Sequence, residues 1–297
     1  MPTWSAERTV DEPLVRRLLT QFSDLEGTSV RRVSEGWDYS IWAVDERWAF
    51  RFPRREIVLR GMELEIAVVP KLAPSLPIAV PGAVFVGQAT DEFPWRFFGS
   101  PFLPGRELGE LDLDDERRLD VGLQLATFLR ALHAADVDVP LPPDSNRRAD
   151  MTVRVPKARE QLAELDRIGI WKQPPEVERL FREAESLPPP ATDTVVHGDL
   201  HFRQLLADES GRLTGVLDWV DVSRSDPAVD LCMLWGYLPP PARGPFLDAY
   251  GPVEDAQLLR ARVVALSVWG ALAHYGHAEG HAAIEREALA GLRRTVS

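Results

Sequence analysis

The sequence predicts an α+β fold in which a small antiparallel sheet comes first and a larger, mainly helical region follows. Residues 30–52 alternate between apolar and polar side chains and are rich in aromatic residues, which is typical of β-strands. Residues 100–105 contain prolines and a glycine that interrupt both strand and helix periodicity. Beyond them, apolar residues recur at the three- and four-residue spacing of helices.

The N-terminal region predicts a small lobe built on one sheet. An amphipathic helix is predicted over residues 11–25, where apolar side chains have helical spacing. Residues 30–52 predict a hairpin and a third short strand. A second helix is predicted over residues 60–72, and the extended runs 83–87 and 95–98 complete a five-stranded sheet.

The C-terminal region predicts long helices. Asp112 or Asp114 is placed to cap a helix with one apolar face, which ends at His133. Residues 153–186 carry mixed helical patterns, and a strong helical pattern begins at Asp255. We therefore expect this lobe to be mainly helical.

The motif around residue 200 carries the pattern with the clearest chemistry. An HGD triplet ends at Asp199, the amide of Gln204 follows five positions later, and Asp218 closes an apolar run further on. This is the spacing of a kinase catalytic loop and its second acid. Since a departing γ-phosphate spreads negative charge over several oxygens, Mg²⁺ on hard oxygen ligands must neutralise it. We predict Asp199 as the catalytic base and Asp218 and Gln204 as magnesium ligands.

Five positions are predicted to contact the nucleotide, and they lie in the N-terminal region or in the linker formed by residues 100–105. Gly36 lies in the first hairpin turn, where a backbone amide can approach phosphates. Arg51 falls where kinases carry the lysine of V-A-I-K, and Glu65 is predicted to pair with it. Ser100 and Phe102 lie in the linker that would hold the adenine; backbone groups usually contact this base, so the linker does not distinguish ATP from GTP.

These positions also have structural interpretations. Gly36 fits an ordinary hairpin turn, and Arg51 fits a solvated arginine at a strand end. Arg54 and Arg55 are near enough that the phosphate-binding assignment can shift by a few positions. Glu65 fits a surface glutamate on an exposed turn.

These predictions divide the chain into three parts. Residues 1–99 are the N-terminal, nucleotide-binding lobe, residues 100–105 are the hinge, and residues 106–297 are the C-terminal lobe with the catalytic loop and the acceptor site.

Arg203 is a second candidate catalytic residue. It occupies the slot where tyrosine kinases carry a catalytic-loop arginine, so we predict that it touches the γ-phosphate or the acceptor, where a cation offsets developing charge. The alternatives are a salt bridge to Asp199 and an outward-facing side chain.

Other polar residues near the motif have structural explanations. Asp226 precedes a proline and is predicted as a helix N-cap. Asp221 and Asp230 are predicted to hold the loop rather than to bind magnesium. His133 lies at the end of an apolar stripe, where a hydrogen-bonded packing histidine is expected.

Composition limits the partners. The excess of 46 Asp and Glu over 34 Lys and Arg gives a net charge of −12, which argues against a nucleic-acid partner and is compatible with a cationic small substrate. The single cysteine, Cys232, excludes an intrachain disulfide. Without a secretory signal pattern or a run of about 18 apolar residues, we expect a cytoplasmic protein with no membrane partner.

Taken together, these residues resemble the aminoglycoside phosphotransferase family, small-molecule kinases with a bilobal, protein-kinase-like fold. The resemblance covers nearly the whole chain and rests on EGWDYSIWAVDERWAFRFPR, FLPGREL, LATFLRALHA, HGDLHFRQLL, GVLDW and SDPAVDL. It implies ATP or GTP as co-substrate, Mg²⁺, Asp199 as base and Asp218 as metal ligand. Members phosphorylate hydroxyl groups of aminoglycosides, macrolides, choline and other metabolites, so the resemblance does not define the acceptor.

One departure from the family bears on the substrate. Gln204 stands where most members carry asparagine, so a weaker or shifted second metal is expected. The macrolide phosphotransferase branch also departs here, with HGDLHPGH, and the aromatic C-terminal helix around Trp269 favours the same branch. The acidic composition favours an aminoglycoside instead. A metabolite or natural-product kinase and a nucleotide-binding pseudokinase stay open as alternatives, and the sequence does not indicate an oligomeric state.

Overall fold

The computed structural model describes residues 7–25, 28–36 and 38–297. Trp37, which follows Gly36 in the predicted first turn, lies outside the described residues. The chain forms two compact units.

The first unit comprises Met1–Pro74 and Ala79–Leu103, and the second comprises Ser75–Ile78 and Pro104–Ser297. The boundary after Leu103 falls inside the segment predicted as a hinge.

The first unit is a five-stranded antiparallel sheet with two α-helices among its described residues. In chain order these elements are α1 (Glu12–Leu19), β1 (Val30–Glu35), β2 (Tyr39–Val44), β3 (Trp48–Pro53), α2 (Leu59–Leu72), β4 (Phe85–Gly87) and β5 (Phe97–Pro101). The strand order is β1-β2-β3-β5-β4, and neighbouring strands are antiparallel. The predicted five-stranded sheet is confirmed.

The first helix is shorter than the apolar pattern predicts. It begins after Asp11, whose carboxylate accepts the Leu14 N–H at 2.9 Å. It ends at Leu19 because the hydroxyl of Thr20 donates to the Arg17 carbonyl at 2.7 Å and competes for this helical acceptor. Phe22 still packs against the core, which explains why the apolar spacing continues past the helix.

Strand β5 extends two residues into the predicted hinge. Ser100 and Pro101 pair with Ala49 and Trp48 of β3. On the other side, β4 pairs only with Phe97–Gly99. Proline is tolerated at this end of the strand because it has a partner strand on one side only.

An aromatic core anchors β3. Phe50 and Phe52 are fully buried, and the Phe52 ring stacks on Phe97 with centroids 4.9 Å apart. Since successive side chains of a strand point to opposite faces, Arg51 between them faces away from this core. Its partner is on α2, as described below.

The second unit is mainly helical, as the sequence predicts. Its strands and α-helices are β6 (Arg106–Glu107), α3 (Asp115–His133), α4 (Met151–Arg167), α5 (Pro175–Glu185), β7 (Thr194–Val196), β8 (Leu205–Ala207), β9 (Leu213–Val216), β10 (Ser223–Ser225), α6 (Cys232–Gly236), α7 (Pro240–Tyr250), α8 (Asp255–Ala278) and α9 (Ala282–Val296). Two small antiparallel sheets, β6-β8-β9 and β10-β7, lie among the helices. The loops from β7 to β8 and from β9 to β10 both connect them.

Helix α8 is a core helix. It is long and apolar enough to cross a membrane by length and composition alone, but 61% of its most apolar window is buried inside the fold. Trp269 in α8 is fully buried, and a Cβ on Gly236 or Gly291 would overlap its ring. This tryptophan is therefore a packing residue and gives no support to a macrolide acceptor, which stays a prediction.

Candidate functional site

A buried carboxylate holds the start of the loop that contains the HGD triplet, residues 197–204, which we call the motif loop. The two oxygens of Asp230 accept the backbone N–H groups of His197 and Gly198 at 2.7 and 3.0 Å. His133 Nε2 lies 3.1 Å from the same carboxylate, and Asp230 is fully buried. The structural interpretations of Asp230 and His133 are confirmed.

The glycine of the HGD triplet permits the turn into Asp199. Gly198 has φ +92°, in the region that favours glycine. A Cβ there would lie 2.3 Å from the Asp221 carbonyl oxygen. The loop needs glycine at this position both for its backbone conformation and for its close approach to the next loop.

The histidine of the triplet, His197, connects the motif loop to the loop that follows β9. His197 Nε2 lies 2.8 Å from the Leu217 carbonyl oxygen, and its Nδ1 accepts the Asp199 N–H at 3.3 Å. The Leu217 N–H donates to the Gln204 carbonyl at 2.8 Å. Asp218 follows with φ +63°, a left-handed conformation that is uncommon outside glycine. These contacts place Asp218 beside the loop that carries Asp199.

The residues predicted to bind magnesium are in contact. Gln204 Nε2 donates to Asp218 Oδ2 at 3.1 Å, so the amide group and the carboxylate are adjacent. Mg²⁺ prefers carboxylate and amide oxygens as ligands, so the residue types of this pair suit the ion. Across the described ranges, no group of three or more His, Cys, Asp or Glu is arranged to hold a metal. Nucleotide phosphates and water would supply the other ligands, as is usual for Mg²⁺.

His201 lies between the predicted base, Asp199, and the predicted metal ligand Gln204, and the sequence did not single it out. Its Nδ1 accepts the Arg203 N–H at 3.2 Å, so its proton is on Nε2. Nε2 is 3.9 Å from Asp199 Oδ2 and 3.5 Å from Gln204 Nε2. Burial lowers the pKa of His201 to about 4, so this imidazole is neutral at pH 7.

The cation beside Asp199 comes from a different part of the chain. Arg148 Nη2 lies 3.3 Å from Asp199 Oδ1 and 2.9 Å from Asp221 Oδ2. Sequence reasoning missed Arg148 because it lies in a polar loop without periodicity. The carboxylate and the guanidinium are 51 positions apart in the chain.

Arg203 contacts Glu107 and Tyr275 and does not pair with Asp199. Its Nε lies 3.3 Å from Glu107 Oε2, and its guanidinium stands 5.3 Å above the Tyr275 ring. Burial raises the pKa of the Glu107 carboxyl, although Arg203 opposes this. The alternative of a salt bridge from Arg203 to Asp199 is wrong, since Arg148 provides it. A catalytic function of Arg203 stays a prediction.

The first unit contains the predicted arginine–glutamate pair. Arg51 forms an ion pair with Glu65, which is fully buried, and its guanidinium lies 5.4 Å from the Phe98 ring centroid. Arg54 contacts the Gly36 carbonyl, and Arg55 pairs with Asp38. The predicted pairing is therefore confirmed, and Glu65 is not a surface glutamate.

The remaining predicted nucleotide contacts lie in turns and at the strand end. The Gly36 N–H donates to the Tyr39 carbonyl at 2.9 Å, closing the first turn. Ser100 is buried within β5, with its hydroxyl 3.5 Å from the Ala49 carbonyl. The Phe102 N–H donates to the Arg47 carbonyl at 2.8 Å. Contact of Gly36, Ser100 and Phe102 with a nucleotide stays a prediction.

The chain is similar to known proteins in sequence. The model of a family described as "Phosphotransferase enzyme family" matches residues 29–263. The uncharacterized protein YcbJ of Bacillus subtilis (strain 168) is 25% identical over 259 residues, which are 75% of this chain and 71% of that relative.

The fold is shared with solved structures. The GDP and kanamycin complex of APH(2")-IIia has a TM-score of 0.68 and 22% identity, covering 96% of this chain and 98% of that one. Macrolide 2'-phosphotransferase MphH from Brachybacterium faecium has a TM-score of 0.61 and 22% identity, covering 94% and 97%. The α+β, protein-kinase-like fold predicted from the sequence is confirmed.

Proposed function

Because the chain belongs to the phosphotransferase enzyme family, we propose that it transfers the γ-phosphate of ATP or GTP to a hydroxyl group of a small molecule. The family is the one that the sequence motifs predict. The observation that carries the proposal is the grouping of a carboxylate base, Asp199, with the adjoining pair Gln204 and Asp218. A module that only bound nucleotide would have no need of all three groups.

Asp199 acts as the base in this proposal. Its Oδ1 is engaged by Arg148, so Oδ2 accepts the proton of the acceptor hydroxyl. The acceptor oxygen forms a bond to the γ-phosphorus as the bond from this phosphorus to the bridging oxygen breaks. The leaving nucleoside diphosphate keeps that electron pair. His201, neutral at pH 7, presents its Nε2–H to the same side of the carboxylate.

Charge on the phosphates requires cations. In the first unit, Arg51 would contact the α and β phosphates, and Glu65 would hold its guanidinium in place. Asp218 and the Gln204 amide oxygen would hold Mg²⁺, which neutralises charge on the β and γ phosphates. The GDP complex of a structural neighbour supports nucleotide binding by this fold.

We propose an aminoglycoside or a macrolide as the acceptor. Solved neighbours include a kanamycin complex and a macrolide 2'-phosphotransferase, and the net charge of −12 suits a cationic acceptor. A metabolite or natural-product hydroxyl is the second candidate. Use of a nucleotide co-substrate is in keeping with a cytoplasmic location.

An acceptor panel tests the proposed function. Purified protein is incubated with ATP or GTP labelled on the γ-phosphate, Mg²⁺, and in turn kanamycin, a macrolide, choline and a sugar. We expect the label to appear in one class of acceptor, with a mass gain of one phosphate. Nucleotide binding with neither transfer nor hydrolysis across the panel would favour the pseudokinase alternative.

Removal of the divalent cation is expected to stop the reaction. Chelation with EDTA leaves the phosphate charge without its counterion, so transfer should fall to background and return when Mg²⁺ is added in excess. The measurement is initial rate against free Mg²⁺. Full activity in EDTA would exclude the proposed metal-dependent mechanism.

Gln204→Leu is expected to raise the Mg²⁺ concentration for half-maximal activity by about 10- to 100-fold, because the variant removes one of two protein ligands. Gln204→Glu keeps an oxygen donor of the same reach and is the matched control, for which we expect a smaller change. The measurement is a Mg²⁺ titration at fixed ATP. An unchanged Mg²⁺ requirement in Gln204→Leu would remove Gln204 from the proposed metal site.

A further inference from the structure

A buried guanidinium contacts the proposed base. Arg148 is 8% exposed and lies in the loop before α4. Its Nη2 contacts both Asp199 Oδ1 and Asp221 Oδ2, at 3.3 and 2.9 Å, and its Nη1 lies 3.2 Å from Asp144 Oδ1. One guanidinium therefore joins three carboxylates, one of which is the base.

The loop that carries this arginine is held firmly. Asp144 Oδ2 accepts the Arg148 N–H at 2.6 Å. Arg154, on α4, donates to the Arg148 and Asn146 carbonyls at 3.2 and 3.3 Å, and to Ser267 Oγ of α8 at 3.2 Å. The loop that carries the guanidinium is thus held by contacts with two helices of the second unit, α4 and α8.

Arg148 is the positive charge in contact with Asp199 at neutral pH. Burial by itself would raise the pKa of Asp199, but His201 and Arg148 outweigh it and lower the pKa. His201 Nε2 lies farther from the carboxylate, 3.9 Å from Asp199 Oδ2. The titratable and charged groups facing this region are His197 and His201 of the same loop, Arg148 and Asp144 of the loop before α4, Asp221 of the loop after β9, Arg154 and Lys157 of α4, and Cys232 of α6.

We propose that Arg148 is a positioning residue for the base: it fixes the orientation of the Asp199 carboxylate through Oδ1, leaving Oδ2 to take the acceptor proton. This inference rests on the proposed function for the identity of the base. The cation reaches the base from a loop 51 positions earlier instead of from within the motif.

The first test measures Asp199 without turnover. Protein labelled with ¹³C at aspartate carboxyl carbons is titrated by NMR, and the Asp199 signal is identified by its loss in Asp199→Asn. In Arg148→Gln, which keeps hydrogen-bond donors but no charge, we expect the Asp199 pKa to rise by about one to two units. Arg147→Gln, at the exposed neighbouring position, is the matched control and should leave it unchanged.

The second test follows the reaction. In Arg148→Gln the rate at pH 7 should fall about 10- to 100-fold, and the acid limb of the pH profile should move upward with the NMR value. Arg148→Lys keeps the charge but not the planar fork, so its acid limb should stay near that of the wild type while its rate falls. A merely structural arginine would lower the rate without moving the acid limb.

The Asp199 pKa tests the positioning role of Arg148, and phosphate transfer tests the proposed function, so the two proposals can fail separately. A folded Arg148→Gln with an unchanged Asp199 pKa would overturn the positioning role. If that variant does not fold, Arg148→Lys decides: an acid titration like that of the wild type supports the inference, and a rise of a full unit or more overturns it. A wild-type protein without phosphate transfer or ATP hydrolysis would remove the proposed function, while the NMR shift would still report on the Arg148–Asp199 contact.

Discussion

Replacement of Asp199 by asparagine is expected to lower phosphate transfer by about 10²- to 10⁴-fold, because the amide cannot take the acceptor proton. The side chain keeps its shape, and its oxygen can still accept from Arg148. Nucleotide affinity should therefore stay at the wild-type value. Steady-state kinetics with the acceptor found in the panel, together with nucleotide titration, measure both effects.

A matched control is available on α7. Asp248 is exposed, and Asp248→Asn makes the same chemical change away from the motif loop. We expect it to retain wild-type turnover. Wild-type turnover in Asp199→Asn would exclude this carboxylate as the base, whether or not Asp248→Asn keeps its turnover.

The second large effect concerns stability. Asp230→Ala is expected to lower the unfolding free energy by about 3–5 kcal/mol. The substitution removes a buried carboxylate and leaves three buried hydrogen-bond donors without an acceptor. These donors are the N–H groups of His197 and Gly198 and the His133 ring. The loss corresponds to a fall in Tm on the order of 5–15 °C. Denaturant unfolding of the wild type and the variant gives the difference in unfolding free energy.

The stability effect of Asp230 should depend on pH. Burial alone would raise the pKa of this carboxyl, but the hydrogen bond and charge of His133 outweigh it and hold the pKa below its usual range. The contribution is then fully present above the unfolded-state pKa of about 3.9 and is lost as the pH falls through the lower folded-state value. The difference in unfolding free energy between the wild type and Asp230→Ala should therefore become smaller as the pH falls through this acidic range.

Asp248→Ala provides the control for general effects of removing a carboxylate, and it should unfold like the wild type. A loss of less than about 1 kcal/mol in Asp230→Ala would show that the motif loop does not depend on this carboxylate. Because Asp230 binds backbone and not substrate, loss of activity in a folded variant would indicate displacement of the loop that carries Asp199.

Local pattern in the sequence determined much of this protein. The alternation of residues 30–52 determined the hairpin and β3, and Arg51 with Glu65 followed from their positions on a strand and the next helix. The contact of Gln204 with Asp218 was also predictable, because short strands and loops connect the two residues. In each case the partners are close in the chain, so spacing limits where their side chains can meet.

Tertiary structure alone decided the surroundings of Asp199. Arg148 reaches Asp199 only because α4 and α8 hold its loop, and no periodicity marks such a residue in advance. Packing likewise turned Arg203 to Glu107 and buried Trp269 among helices. The sequence by itself therefore determined the family, the fold and the carboxylate that we propose as the base, since these depend on local motifs. The positive charge that contacts that carboxylate comes from a distant loop, and only the packing of the second unit brings the two together.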